Sequence, residues 1–271
     1  MQSEAEELFN QTCSCVYIFL LMARILEACV NSVVSAIEAQ KGGADRVELC
    51  ENMLEGGCTP SAGTIRLARQ RLSIPIMVMI RPRGADFCYS DEEFGIMEND
   101  IRLAKELGAD GVVFGILKPE GSIDTDRMSR LADIARPLSI TCHRAFDMTS
   151  DSFRSMDELM RLGIDRILTS GQKDSAISGA GLIRDLIKHA NGRIIIMPGH
   201  GIKEYNLQDA IDLTGASEFH LYLTKQVPTV MSFIRSEVKM GKPDLSEYET
   251  TVVDEDRIRK AKDILLGAGD Q

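Results

Sequence analysis

A short phrase recurs four times along this chain: GGADRV from Gly42, LGADGV from Leu107, LGIDRI from Leu162 and TGASEF from Thr214. In each, a glycine stands where a helix C-terminus needs a left-handed residue before a tight turn into a β-prone run. These glycines, Gly43, Gly108, Gly163 and Gly215, follow one another at intervals of 65, 55 and 52 residues. Each interval has room for two strand–helix units. The apolar and β-branched runs bear this out, predicting strands at Ile25–Val30, Arg46–Leu49, Ile76–Ile80, Gly111–Phe114, Ser139–Thr141, Arg166–Thr169, Arg193–Met197 and Ser217–Phe219. Between them lie stretches of helical spacing, several opening on Ser or Asp as N-caps: SVVSAIEAQK from Ser32, DEEFGIMENDIRLAKEL from Asp91, AGLIRDLIKHA from Ala180. Strands that are continuously apolar are buried on both faces, as in a parallel sheet. The predicted fold is therefore α/β, a single-domain (β/α)8 TIM barrel, with an open doubly wound sheet as the alternative. No Gly-x-Gly-x-x-Gly follows the first strand, where Cys29, Val30 and Asn31 stand instead; this disfavours the open sheet, and no organic cofactor is expected.

The units place the barrel over residues 24–223, an N-terminal extension over 1–23, and an irregular C-terminal tail over 224–271 in which Asp254 to Leu266 reads as a final helix. With 44% hydrophobic and 27% charged residues the chain is an ordinary globular one. Thirty-one Lys and Arg stand against 41 Asp and Glu, a formal charge of −10 with no basic run, which speaks against nucleic-acid and anionic-membrane partners. The longest apolar stretch, Val16 to Ala23, falls far short of the ~20 residues of a membrane span, and the acidic residues before it are wrong for a secretion signal. Seven cysteines without a repeated spacing point to reduced, cytosolic thiols rather than a disulfide framework. Cys13 and Cys15 form a C-x-C pair in the extension that reads as coincidence.

Chemistry in such a barrel gathers at the C-terminal strand ends. There the chain carries RPRGADF (Arg81 to Phe87), HRAFD (His143 to Asp147), SGQ (Ser170 to Gln172), PGHG (Pro198 to Gly201) and His220. Three of the four histidines, His143, His200 and His220, sit at these positions. Arg81 and Arg83 alternate across Pro82, so both guanidiniums are expected on one side of the mouth, in geometry suited to a carboxylate or phosphate or to a structural ion pair. Arg144, the Ser170 turn, Gly199, Gly201 and His220 extend the candidate anion site. Glu27, Glu48 and His143 are candidates for proton transfer, with Asp147 orienting His143 or Arg144. Strands one and two share a pattern, Glu27-Ala28-Cys29 and Glu48-Leu49-Cys50, that turns each Glu and Cys the same way. Two thiolates on adjacent strands suit a soft ion such as Cu(I); a cysteine in a barrel strand also serves as a small buried hydrophobe. The two carboxylates need cationic partners, for which Arg81, Arg83 and Arg144 are the natural choices.

The motifs ADRVELC from Ala44, EGG-x-TPS from Glu55, RPRGADFCYS from Arg81, CHRAFDM from Cys142 and LTSGQ from Leu168 together resemble the CutC copper homeostasis family, in order, from about Ile25 to about His220. The resemblance implies a cytoplasmic (β/α)8 barrel, nuclear presence being compatible, that self-associates as a homo-oligomer, dimer or tetramer. It implies a role in copper tolerance, uptake, storage or trafficking, with Cu(I) held by Cys29 and Cys50. The fold leaves open whether the protein is an enzyme, and a small anionic substrate processed by general acid–base catalysis is the alternative function. The chain departs from the family pattern in reading RPRGA for RPRGG, Gly199-His200-Gly201 for a Gly-rich run, and Leu221-Tyr222-Leu223 after His220.

Overall fold

The computed structural model describes residues 24–240 and 246–267; the extension with Cys13 and Cys15 lies outside them. Eight parallel strands, β1 (Ile25–Val30), β2 (Arg46–Leu49), β3 (Ile76–Met79), β4 (Gly111–Phe114), β5 (Ser139–Cys142), β6 (Arg166–Thr169), β7 (Ile195–Pro198) and β8 (Glu218–Leu221), pair in sequence order, and β1 also pairs with β8. A parallel bridge between Gly199 and His220 joins β7 to β8 and closes the barrel. Gly199 is required there: a Cβ on it would lie 2.4 Å from Leu168 Cδ1 and 3.1 Å from His220 Cβ.

The first seven strands are followed by α1 (Val33–Lys41), α2 (Ala62–Arg71), α3 (Asp91–Glu106), α4 (Thr125–Ala135), α5 (Ser152–Arg161), α6 (Ala180–Ala190) and α7 (Leu207–Thr214). Ser32 caps α1 by accepting the Ser35 N–H, and Ser90 with Glu93 forms a capping box on α3. These side chains satisfy N–H groups that a helix start leaves without partners. After β8 the chain forms an antiparallel pair, β9 (Thr224–Pro228) with β10 (Glu249–Val253), and then α8 (Glu255–Leu265) capped by Asp254. The last helix falls where the sequence puts it. The segment before it is not wholly irregular, because Thr224–Pro228 finds its partner strand some twenty residues downstream, a pairing that local spacing does not reveal. α8 lies against α1, β1 and α7, in the place of an eighth barrel helix. None of the described helices is long and apolar enough to cross a membrane.

Period-two alternation sorts the strand residues into two environments. Leu26, Ala28 and Val30 of β1, Val47 and Leu49 of β2, and Phe219 and Leu221 of β8 belong to the large apolar core under the helices. Their neighbours Glu27, Cys29, Arg46, Glu48, Glu218 and His220 fill the barrel, with Met77, Met79 and Val113 forming a small apolar cluster around the two cysteines. β8 starts and ends later than the sequence suggests, Glu218–Leu221 instead of Ser217–Phe219. Register with β1 pairs Ile25 with Glu218 and Glu27 with His220, so His220 is an interior strand residue rather than a loop residue.

Candidate functional site

The lower part of the barrel interior is ionic. Arg46 Nε pairs with Glu27 Oε2, and Arg46 Nη2 donates to Glu218 Oε2 at 2.5 Å. The same Glu218 oxygen accepts from Arg166 Nε at 2.6 Å, while Arg166 Nη1 reaches Thr141 Oγ1 at 3.2 Å. All four charged groups are buried and balance two against two. Burial alone would raise the Glu27 carboxyl, but Arg46 and then His220 hold it far below the ordinary carboxylate range.

Glu27 hands this order upward. Its Oε1 lies 2.7 Å from His220 Nδ1, and His220 Nε2 lies 3.7 Å from Glu48 Oε2. Cys29 pairs in register with Glu48; Cys29 Sγ is 3.6 Å and Cys50 Sγ 3.4 Å from Glu48 Oε2. The ligand atoms of Cys29, Glu48 and Cys50 all lie within 4.8 Å of one another, as do those of Glu27, Glu48 and His220. A hydrogen bond from Cys50, against the opposing effect of burial and with help from His220, brings the Cys29 thiol down to about 5. The same bond and burial drive the Cys50 thiol up. Burial disfavours a charge on His220, yet Glu48, Cys29 and Glu27 hold its pKa well above the usual imidazole value. Burial lifts Glu48 to about 8, with His220 pulling it down and Cys29 and Glu27 adding to the rise.

Above this floor opens a cavity of about 600 Å³ whose walls include Met79, Arg81, Phe87, His143, Arg144, His200 and Tyr222. Arg81 is buried and donates to the carbonyls of Glu55, Gly57 and Ala85. His143 Nδ1 accepts the Ala145 N–H at 3.2 Å; burial, with the Arg81 charge, pushes its pKa down to about 3. Asp147 is bound by Arg144 Nε at 2.8 Å, by the Ser170 and Gln172 N–H groups and by Thr169 Oγ1.

The structure thus brings together Cys29, Glu48, Arg81, His143, Arg144, Asp147, Gly201 and His220 on one cavity, with Glu27 and Cys50 directly behind. Arg83 is elsewhere: it pairs with Glu93 at 2.6 Å and Asp86 at 3.1 Å and donates to the Cys88 carbonyl. The alternation argument that put it beside Arg81 fails because β3 ends at Met79, and outside a strand residues two apart need not share a face. The Ser170 turn does not present its amides to the cavity either, because Asp147 has taken those of Ser170 and Gln172 and the Thr169 hydroxyl that of Gly171, and the Gly199 N–H bonds the Thr169 carbonyl. Glu27 finds its partner in Arg46, not in Arg81, Arg83 or Arg144. Arg46, Arg166 and Glu218 were missed as site residues; the signal was available in Arg46-x-Glu48-x-Cys50 and Glu218-x-His220, which continue the inward-facing parity of known site positions.

The family model for the CutC family matches residues 24–225. The chain belongs to the CutC family. It is 48% identical over 247 residues, 89% of this chain and 90% of the other, to the human copper homeostasis protein cutC homolog. Against a family protein CutC of Parabacteroides distasonis it is 49% identical over 240 residues, 88% of this chain and 99% of the other. A crystal structure of the CutC of Streptococcus agalactiae superposes with a TM-score of 0.70 at 39% identity, over 73% of this chain and 97% of that one.

Proposed function

We propose that this CutC chain binds Cu(I) through Cys29 and Cys50 at the floor of the barrel mouth, and that it serves copper tolerance, storage or trafficking inside the cell. The observation that carries the reading is the pair of buried sulfurs grouped with Glu48 within 4.8 Å. Soft thiolates select Cu(I), and the environment already favours the thiolate of Cys29. Met79 supplies a thioether nearby: a Cβ on Gly57 would lie 3.3 Å from Cys50 Sγ and 3.6 Å from the Met79 methyl. The names of the human and mouse relatives point the same way. Titration of the reduced protein with Cu(I) against a competing chelator should show about one ion per chain, with binding lost in Cys29→Ser and in Cys50→Ser. Binding unchanged in both variants would sink the assignment.

A second reading, an enzyme acting on a small anion by general acid–base chemistry, is favoured by Arg81, a buried cation facing the cavity. Among the groups named for proton transfer, Glu48, at about 8, titrates nearest neutral pH. Self-association, as dimer or tetramer, is assigned to the segment joining β9 and β10, where Val230, Met231, Phe233, Ile234 and Met240 stand exposed in succession. Sedimentation that returned a monomer would remove it. A cytoplasmic setting, with nuclear presence compatible, accords with Cys29, Cys50, Cys58, Cys88 and Cys142 all being free thiols.

A further inference from the structure

Glu48 is a carboxylate of the barrel interior that the fold buries without giving it an arginine. Glu27 and Glu218 are paired by Arg46 and Arg166, whereas Glu48, 2% exposed, forms no ion pair with an arginine or lysine among the described residues. The cations on the cavity above it are committed elsewhere: Arg81 and Lys203 donate to backbone carbonyls, and Arg144 pairs with Asp147. His220 Nε2 stands 3.7 Å from Glu48 Oε2, beyond hydrogen-bond reach, while its Nδ1 is tied to Glu27. Glu48 Oε1 has no hydrogen-bond partner, and Oε2 accepts from both thiols. A buried carboxylate so placed calls for a cation.

The carboxylate and the two sulfurs already have the spacing of a coordination sphere. Cys29 Sγ lies 3.6 Å and Cys50 Sγ 3.4 Å from Glu48 Oε2, and a ligand atom of each residue lies within 4.8 Å of those of the other two. A tetrahedral zinc ion with sulfur at about 2.3 Å and carboxylate oxygen at about 2.0 Å sets those two donors about 3.5 Å apart, and two sulfurs about 3.8 Å apart. The strand pairing holds this arrangement: Cys29 stands opposite Glu48, and the Cys50 N–H bonds the Val30 carbonyl one step further on.

We propose that Glu48 completes Cys29 and Cys50 to a three-donor site that takes a borderline divalent cation, Zn(II), as well as Cu(I). The inference rests on the reading of the two cysteines as metal ligands and extends it by a residue and a class of ion. Zn(II) displaces the two thiol protons that the sulfurs now donate to Glu48 Oε2. Charge and softness separate the two ions. Two thiolates and a carboxylate put three negative charges in a buried place, of which a divalent ion leaves one and a monovalent ion two. Cu(I) is served by sulfur alone, whereas zinc takes carboxylate oxygen together with thiolate. Cys29 and Glu48 line the cavity and Cys50 lies behind them, which leaves the fourth position to a water or to a molecule in the cavity.

The test uses the full chain, reduced and stripped of metal. Zn(II) is titrated against a chromophoric chelator, and Co(II), its spectroscopic stand-in, is added to a parallel sample. Zn(II) should bind at about one ion per chain. The Co(II) protein should show the intense visible bands of a four-coordinate ion and thiolate-to-cobalt charge transfer in the near ultraviolet, a readout on the parent that needs no variant. Glu48→Gln, which keeps the shape and removes the charge, should weaken Zn(II) at least tenfold more than it weakens Cu(I), its circular dichroism reporting that it has folded. Cys29→Ser and Cys50→Ser should each lose Zn(II). Absence of Zn(II) binding, or a Co(II) spectrum of octahedral type without charge transfer, would overturn the inference and leave the Cu(I) reading standing. A Glu48→Gln loss equal for the two ions, or Zn(II) binding indifferent to the cysteine variants, would overturn it as well. Zn(II) bound with these signatures by a protein that does not bind Cu(I) would remove the copper assignment and support this one.

Discussion

Glu218→Gln isolates what the ionic layer contributes beneath the site. Glu218 is buried, and one of its oxygens accepts from Arg46 at 2.5 Å and from Arg166 at 2.6 Å. The amide keeps the shape and removes the charge, leaving two guanidiniums facing the single carboxylate of Glu27. Its carbonyl, placed at Oε2, can still accept from both arginines, but its NH2 then replaces the Oε1 that Arg166 Nη2 meets at 3.5 Å, donor against donor. Breaking a buried ion pair by removing one partner costs about 3–5 kcal/mol, which for a chain of this size is a fall in Tm of roughly 6–20 °C. The Arg166→Met/Glu218→Gln double variant removes the excess cation as well. Arg46 then keeps Glu27 and takes the carbonyl of the new side-chain amide, so the double variant should be more stable than Glu218→Gln alone despite losing the 3.2 Å bond from Arg166 to Thr141. Urea denaturation at pH 7 measures the parent, both single variants and the double, and the resulting double-mutant cycle gives the coupling. A Glu218→Gln cost under about 1 kcal/mol, against the several expected for a buried pair, or a double variant as destabilised as the sum of the singles, would refute the argument that the layer is held by charge balance.

His143 makes stability pH-dependent in a direction the geometry fixes. Its native pKa of about 3 lies below the ordinary 6.5, so the unfolded chain takes up a proton first as pH falls. The contribution is complete above about 6.5 and is lost progressively toward 3, amounting to about 2 kcal/mol between pH 7 and pH 5. His143→Phe should flatten the stability–pH curve over that interval by this amount, and parallel curves for the two proteins would count against a buried neutral imidazole. Gly57→Ala puts a Cβ at φ +92°, 3.3 Å from Cys50 Sγ. It should lower stability by about 1–2 kcal/mol through left-handed backbone strain and weaken Cu(I) binding in the chelator competition; a variant as stable as the parent would show that this loop relaxes freely.

The part of the site that was legible in the sequence is the part that strand periodicity governs. Glu48 and Cys50 face one way because the Cys50 N–H, one residue past the end of β2, still bonds the Val30 carbonyl at 2.9 Å and carries the strand's alternation on, and register with β1 sets Cys29 opposite Glu48. The same rule extended inward by one step would have found Arg46 and Glu218, but attention to the strand ends, where barrel chemistry gathers, left the buried layer unread. Arg83 shows where the rule stops, since parity has meaning only while the chain is a strand, and RPRGADF is a loop. The departures from the family pattern in the mouth loops carry a backbone signature that no spacing discloses: Ala85 and His200 are non-glycine residues at φ +64° and +73°. The Ala85 turn is not an idle irregularity, because it aims the carbonyl that Arg81 Nη2 binds at 2.9 Å. Whether loop amides are free for an anion is likewise invisible until the tertiary structure shows Asp147 among them. That one carboxylate changes the chemistry expected of the mouth: it closes the place for a phosphate at the β6 loop, while Arg81 and Lys203, which line the same cavity, form no ion pair with a described carboxylate and donate to backbone carbonyls instead.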